Sequence, residues 1–260
     1  MAAYTTIDNP ELYFQCKLYT GNGTNDTAQT FDGDENMQPN MVWIKSRSAA
    51  ENHHIFDSVR GANKRLIAND TSQEFDDSSN LQSFDSDGYT LGTADGINKN
   101  TSLFVAWAWK ESATSGFDIV SYTGNATART ISHSLSAVPK VILGKRRSTT
   151  SNWCMYHGNY GNTKALYLNN NTVGATSTTF WNDTDPTSSV FTVGTDAALN
   201  GNTDTQIAYL FSEKQGFSKF GEYTGNGNAD GPFVYLGFQP AVVFTKRTDS
   251  SGNWNVFDNR

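Results

Sequence analysis

Apolar and polar residues alternate along this chain over short runs. Gly-Asn, Asn-Gly and Asp-Gly dipeptides interrupt those runs, which is the chemistry of tight turns. Met41-Val42-Trp43-Ile44 and Val141-Ile142-Leu143 are short apolar runs just after a proline, the pattern of strands that begin at a sheet edge. Further on, Phe104, Ala106 and Ala108 alternate with Val105, Trp107 and Trp109. That strand is apolar on both faces and is expected in the middle of a sheet. No segment shows a convincing 3.6-residue period. Roughly six to eight short strands per hundred residues predict an all-β protein, built from antiparallel β-sandwiches of the jelly-roll or lectin-like kind.

The chain also matches itself. Tyr19-Thr20-Gly21-Asn22-Gly23 recurs as Tyr122-Thr123-Gly124-Asn125-Ala126 and as Tyr223-Thr224-Gly225-Asn226-Gly227, at spacings of 103 and 101 residues. A second block follows in the same order. Pro39, Pro139 and Pro240 each stand six residues before Lys45, Lys145 and Lys246. The same prolines stand 17 residues before Phe56, Tyr156 and Phe257. Two copies continue, with Leu66–Asn69 matching Leu166–Asn169 and Leu103–Trp107 matching Thr205–Tyr209. The expected organisation is therefore tandem sandwich repeats of about 100 residues: residues 1–113, residues 114–214 and a partial third repeat at 215–260. The third copy reaches only two residues past Asp258, the match of Asp57. A half unit leaves strand edges and an apolar face unpaired. Two explanations are open, a fragment of a longer product or completion by another chain.

Composition sharpens this picture. Asn, Thr and Ser number 26, 30 and 24 of the 260 residues, alongside 16 Phe, 11 Tyr and 6 Trp. A chain this aromatic does not fit disorder, and one this rich in Asn, Thr, Ser and Gly does not fit a helix bundle. The net charge is −7, and the longest basic run is Lys145-Arg146-Arg147, so no nucleic-acid partner is expected. No apolar stretch approaches the roughly 18 residues of a membrane helix, so membrane insertion is not expected either. The start, Met1 to Thr6, lacks the basic and apolar segments of a secretory leader. Cys16 and Cys154 sit in unrelated contexts and read as two buried free thiols.

Motifs of nucleophilic, zinc-dependent and nucleotide-dependent enzymes are absent from the sequence, so no catalytic residue is nominated and no enzymatic activity is expected. His53 and His54 are adjacent, and neighbours on a strand point to opposite faces, so one metal does not take both. The basic residues after each repeated strand, Lys45 with Arg47, Lys145 with Arg147, and Lys246 with Arg247, have two readings. They cap and solvate a strand end, pairing with Asp57 or Asp258, or they contact an anion or a sugar acid on a repeated face. Trp153, Trp181 and Trp254 lie in polar, loop-like surroundings and are read either as core or as platforms for sugar rings. Asp85 and Asp87, in an acidic turn before Gly88, form a weak calcium signature, with a solvated turn as the default. No other cofactor and no metal centre is expected.

The opening Tyr4-Thr5-Thr6-Ile7-Asp8-Asn9-Pro10, Tyr13-Phe14-Gln15 and the Tyr-Thr-Gly-Asn words resemble tail-fibre-like repeat proteins of marine bacteriophages. So do Val42–Arg47, Asp57–Gly61, Phe84–Gly88, Val105–Trp107 and Gly216–Gly221. The resemblance implies a non-enzymatic virion surface protein with laminin-G or concanavalin-like sandwich modules. It implies a homo-oligomer such as a trimer, contacts with other virion proteins, and host-surface polysaccharide as a ligand. Members of that family carry a complete third unit, which this chain does not. Assembly in the host cytoplasm and release by lysis match a chain without a leader. The alternatives are a capsid decoration, head fibre or connector without a host-binding role, and, third, a glycan depolymerase.

Overall fold

The computed structural model describes residues 4–260. Met1–Ala3, which enter the reading of the chain's start, lie outside the described residues. A 3-10 turn at Pro10–Leu12 leads into β1 (Phe14–Thr20), β2 (Thr27–Gln29), β3 (Met41–Ser46), β4 (His54–Asp57) and β5 (Lys64–Ile67). The chain continues through β6 (Phe75–Asp76), β7 (Leu81–Asp85), β8 (Gly88–Leu91), a helical turn α1 (Asp95–Asn98) and β9 (Leu103–Trp109). There follow β10 (Phe117–Thr123), β11 (Arg129–Ser132), β12 (Val141–Arg146), β13 (Trp153–His157), β14 (Lys164–Tyr167) and β15 (Ala175–Thr176). The last elements are β16 (Val190–Val193), α2 (Ala197–Asn200), β17 (Thr205–Phe211), β18 (Val242–Lys246) and β19 (Trp254–Asp258). The protein is all-β, and every strand pairing is antiparallel.

Two six-stranded sheets carry the same strand order. One runs β1-β9-β3-β4-β5-β6 and the other β10-β17-β12-β13-β14-β15. As its two-sided apolar pattern requires, β9 lies between β1 and β3. The expected sheet-edge position of the post-proline strands is corrected: β3 and β12 are interior strands. Pro39 and Pro139 lie two residues ahead of the strand, outside the ladder, so they remove no hydrogen bond from it. Small sheets, β2-β8-β7 and β11-β16, cover one face of each large sheet. Beneath the first lie Phe31, Tyr89, Leu91 and Ile97, packed on Val42, Ile44 and Phe104. Beneath the second lie Ile131, Trp181, Phe191 and Leu199, packed on Ile142 and Tyr156.

The opposite faces of the two large sheets share one core. Met41, Trp43, Ile55, Val105 and Trp107 meet Val141, Leu143, Trp153, Met155, Ile207 and Tyr209 there. Hairpin β18-β19 packs on the same core through Val242, Phe244, Trp254 and Val256, and Phe244 lies 5.4 Å from the Trp43 ring. Its pairing repeats the earlier register, Phe244 opposite Val256 as Trp43 is opposite Ile55 and Leu143 is opposite Met155.

The recurring Tyr-Thr-Gly-Asn word has a local physical reason. The Tyr19 and Tyr122 hydroxyls donate to the carbonyls of Ile97 and Leu199, at 2.7 and 2.8 Å. Gly21 and Gly124 press on backbone: an added Cβ would lie 2.3 Å from the Lys99 carbonyl oxygen or 2.1 Å from that of Gly201. The amides of Asn22 and Asn125 donate to the buried side chains of Asn98 and Asn200, both at 3.0 Å. Asn98 and Asn200 then donate to the carbonyls of Gly92 and Gly194. The first two copies are thus clasps on the turns that precede β9 and β17.

Candidate functional site

Lys45, Lys145 and Lys246 stand at the ends of β3, β12 and β18, and Arg47, Arg147 and Arg247 follow where each hairpin turns. The lysine ammonium groups are spent on backbone. Lys45 donates to the carbonyls of Ser46 (2.7 Å) and Ala49 (3.5 Å). Lys145 donates to Ser151 (2.8 Å) and Thr71 (3.2 Å), and Lys246 to Arg247 (2.8 Å). Lys145 is fully buried, and burial pushes its ammonium down to about 8. Burial also lowers Lys45 and Lys246, both of which stay partly exposed. The lysines tie down the backbone of the hairpin turns. The expected pairing with Asp57 or Asp258 is corrected, because other groups take both carboxylates.

Asp57 lies in a buried ion cluster with Arg60, three residues further on, whose Nε contacts its carboxylate. Arg60 also reaches the carbonyls of Lys64 (2.9 Å) and Ile55 (3.1 Å) and the carboxylate of Glu74 (3.2 Å). Arg147 grips Glu74 with two bonds, at 2.8 and 3.0 Å. The Tyr209 hydroxyl donates to Asp57 at 2.5 Å. Burial works against the Arg60 charge, but Asp57, Tyr209 and Glu74 together hold its guanidinium above the ordinary arginine range. Burial likewise opposes the Glu74 charge, yet Arg147 and Arg60 hold its carboxyl below the usual range. This cluster joins the two large sheets. The Asp-x-x-Arg spacing at Asp57–Arg60 is its one sequence signal, since Glu74, Arg147 and Tyr209 come from distant segments.

Arg47 and Arg247 are exposed, the latter pairing with Asp249 at 2.6 Å. Polar pairs brace the loops beside them. Asn69 donates to Asn52 and Asn169 to Asn152, both at 2.9 Å. The same two asparagines accept the amides of His53 and Trp153 at 2.8 Å.

Of the two readings of the tryptophans, core or sugar platform, Trp153 and Trp181 take the first. Trp153 is fully buried and donates to the Ile67 carbonyl at 2.8 Å. Trp181 is buried, donates to the Lys164 carbonyl at 3.0 Å and packs edge-on against Tyr156. Trp153 lies on β13, where adjacent side chains point to opposite faces, and Trp181 lies outside any strand, beside the equally buried Phe180. Trp254 is half-buried and donates to the Tyr167 carbonyl at 2.9 Å. His53 accepts from the Trp43 indole at 3.1 Å, whereas His54 lies against Gly96. Burial lowers them to about 4 and about 3, so both rings are neutral at ordinary pH.

Asp85 holds its own hairpin, and Asp87 ties the hairpin's turn to the segment before β3. Asp85 accepts from Ser83 (2.6 Å) and Thr90 (2.8 Å), and Asp87 from the Met37 amide (3.3 Å). Among the described residues, no group of three or more His, Cys, Asp or Glu side chains forms a metal cage. Cys16 and Cys154 are free and buried, and burial first pushes the Cys16 thiol up to about 12. A carboxyl pair that the sequence did not suggest, Glu111 with Asp118, forms at the turn between β9 and β10. Burial, then the hydrogen bond from Glu111 to Asp118, pushes Glu111 up to about 7. Burial opposes the Asp118 charge, but that same bond and the Ser134 amide, at 2.5 Å, hold Asp118 below the usual range.

Among the described residues no helix is long and apolar enough to cross a membrane, which leaves strand-built barrels unaddressed. The model of one protein family, described as a domain of unknown function (DUF7483), matches residues 9–260. No curated protein and no solved structure matches the chain.

Proposed function

The chain belongs to the DUF7483 family, and from that premise we propose that it is a non-enzymatic virion surface protein of tandem β-sandwich repeats that contacts host-surface glycans through its hairpin loops. The observation that carries this reading is the contrast between interior and loops. Trp153 and Trp181 are consumed by the core, whereas Arg47 and Arg247 stand exposed among Asn, Ser and Thr residues. Exposed guanidinium groups beside amides and hydroxyls form a surface of hydrogen-bond donors and acceptors, which suits a hydroxyl-rich or acidic sugar. The resemblance to tail-fibre-like proteins supports the setting, a homo-oligomer on the particle surface in contact with other virion proteins. Equal strand order in the two large sheets supports the repeat organisation.

Binding of the purified full chain to a panel of bacterial surface polysaccharides tests the glycan contact. Binding to at least one polysaccharide is expected, weakened about ten-fold or more in the Arg47→Ala, Arg247→Ala double variant. Absence of binding across the panel, or binding indifferent to both arginines, rejects the contact. The tryptophans favour a second reading, a connector or capsid decoration without a host-binding role, because the indole N–H groups of Trp153, Trp181 and Trp254 all donate to backbone carbonyls within the protein. Electron cryomicroscopy of the particle separates the two readings by where the protein sits.

A further inference from the structure

Contacts between the three like units follow one rule of succession. The Trp153 indole donates to the Ile67 carbonyl, and the Trp254 indole to the Tyr167 carbonyl, one unit earlier in each case. The Ser151 amide donates to the Thr71 carbonyl (2.8 Å), and the Gly252 amide to the Asn171 carbonyl (2.9 Å), again one unit earlier. A third relation closes the circle. Tyr209 of the second unit donates to Asp57 of the first, and the matching Trp107 of the first unit donates to Asp258 of the third at 3.1 Å. The second unit thus leans on the first, the third on the second, and the first on the third. Three like walls surround one core.

The third wall contains only β18 and β19 in ladder form. In the other two walls the strand matching β18 is flanked by β9 or β17, which in turn holds β1 or β10. Residues 218–224, the match of β1 and β10, form no strand with β18 and lie mostly as open chain. Their Tyr-Thr-Gly-Asn word has nothing to clasp: Tyr223 is 57% exposed, and no atom lies within 4 Å of a Cβ placed on Gly225. Between this segment and β18 a cavity of about 1520 Å³ opens, lined by Trp109, His157, Phe211, Phe220, Val242 and Phe244 among others. His157 stands where Asp57 and Asp258 receive the aromatic donor of the following unit.

We propose that this cavity is a docking site for a partner polypeptide that presents one β-strand of the β9 and β17 type, preceded by a helical turn ending in asparagine. The strand inserts between residues 218–224 and β18. Its alternate apolar side chains fill the shared core, its central aromatic faces His157, and its turn receives the clasp of Tyr223 and Asn226. The proposal rests on the repeat organisation above.

A synthetic peptide with the sequence of Asp196–Ser212 is the probe, added to the full chain while amide hydrogen exchange is followed. Saturating peptide is expected to slow exchange in both 218–224 and 242–246. A Gly225→Ala variant keeps the free chain intact, since its Cβ meets open space. It should weaken the peptide about ten-fold or more, since the matching Cβ at Gly124 would strike a carbonyl. Four outcomes overturn the proposal: no slowing at millimolar peptide, slowing in only one segment, an equal effect of a scrambled peptide, or indifference to Gly225→Ala. A dimer of the free chain with both segments already protected would also overturn it, making a second copy the occupant. Matching protection of β1 with β9 and of β10 with β17 in the same data tests the repeat organisation separately from the docking.

Discussion

Asn98 and Asn200 are fully buried, and each satisfies three backbone groups, two carbonyls and one amide. Replacing Asn200 by Ala strands those groups, and leaving buried polar groups unpaired costs about 1–3 kcal/mol. Chemical denaturation of Asn200→Ala at pH 7 should show a loss of that size. The Glu111–Asp118 pair makes stability depend on pH. Glu111 is held near 7 in the folded chain against an ordinary 4.5. Between those values the folded chain keeps a proton that the unfolded chain has released, so stability falls as pH rises through this window. Glu111→Gln can still donate to Asp118 and does not titrate, so the fall should flatten in urea titrations at pH 4.5 and 7. An unchanged slope would mean that other groups carry it. The sequence marks neither pair member, because Glu111 and Asp118 meet only through the turn between units. It does mark the clasp, as a word spoken three times, without saying what the word holds.

At the scale of elements, much was legible. Alternation located β9 between its neighbours, and repeated prolines set the register of β3, β12 and β18. The position of β3 and β12 inside their sheets was not legible, because a proline before a strand is compatible with either place. The choice between core and surface for Trp153 and Trp181 stayed open, since loop-like composition describes neighbours in sequence rather than neighbours in space. Repeats also trade volume between elements. Ile44 of β3 packs near Ile97, but the matching Gly144 of β12 leaves room for Leu199, whose Cδ2 would lie 2.3 Å from an added Cβ. Gly144→Ile should therefore overpack the second unit by about 1–3 kcal/mol. Adding Leu199→Ala to that variant should recover part of the loss in thermal melts. Additive losses in the double variant would show that the two sites do not share this space.

At the scale of the whole molecule, three hairpins converge on one core, and each unit bonds to its predecessor around a circle. Hydrophobic pattern gave the walls, but the circle is written in single bonds between residues some 86, 87, 151 and 152 positions apart. Partners so far apart leave no local pattern in the sequence. In the third hairpin β18 pairs with β19 alone, and the proposed docking strand belongs beside it. Amide hydrogen exchange of the full chain, without any added peptide, tests this arrangement most directly. Strands β9 and β17 should exchange slowest, β1 and β10 should be protected by them, and residues 218–224 should exchange as open chain despite their matching sequence. Protection of 218–224 as deep as that of 14–20 and 117–123, in a chain shown to be monomeric, would contradict it.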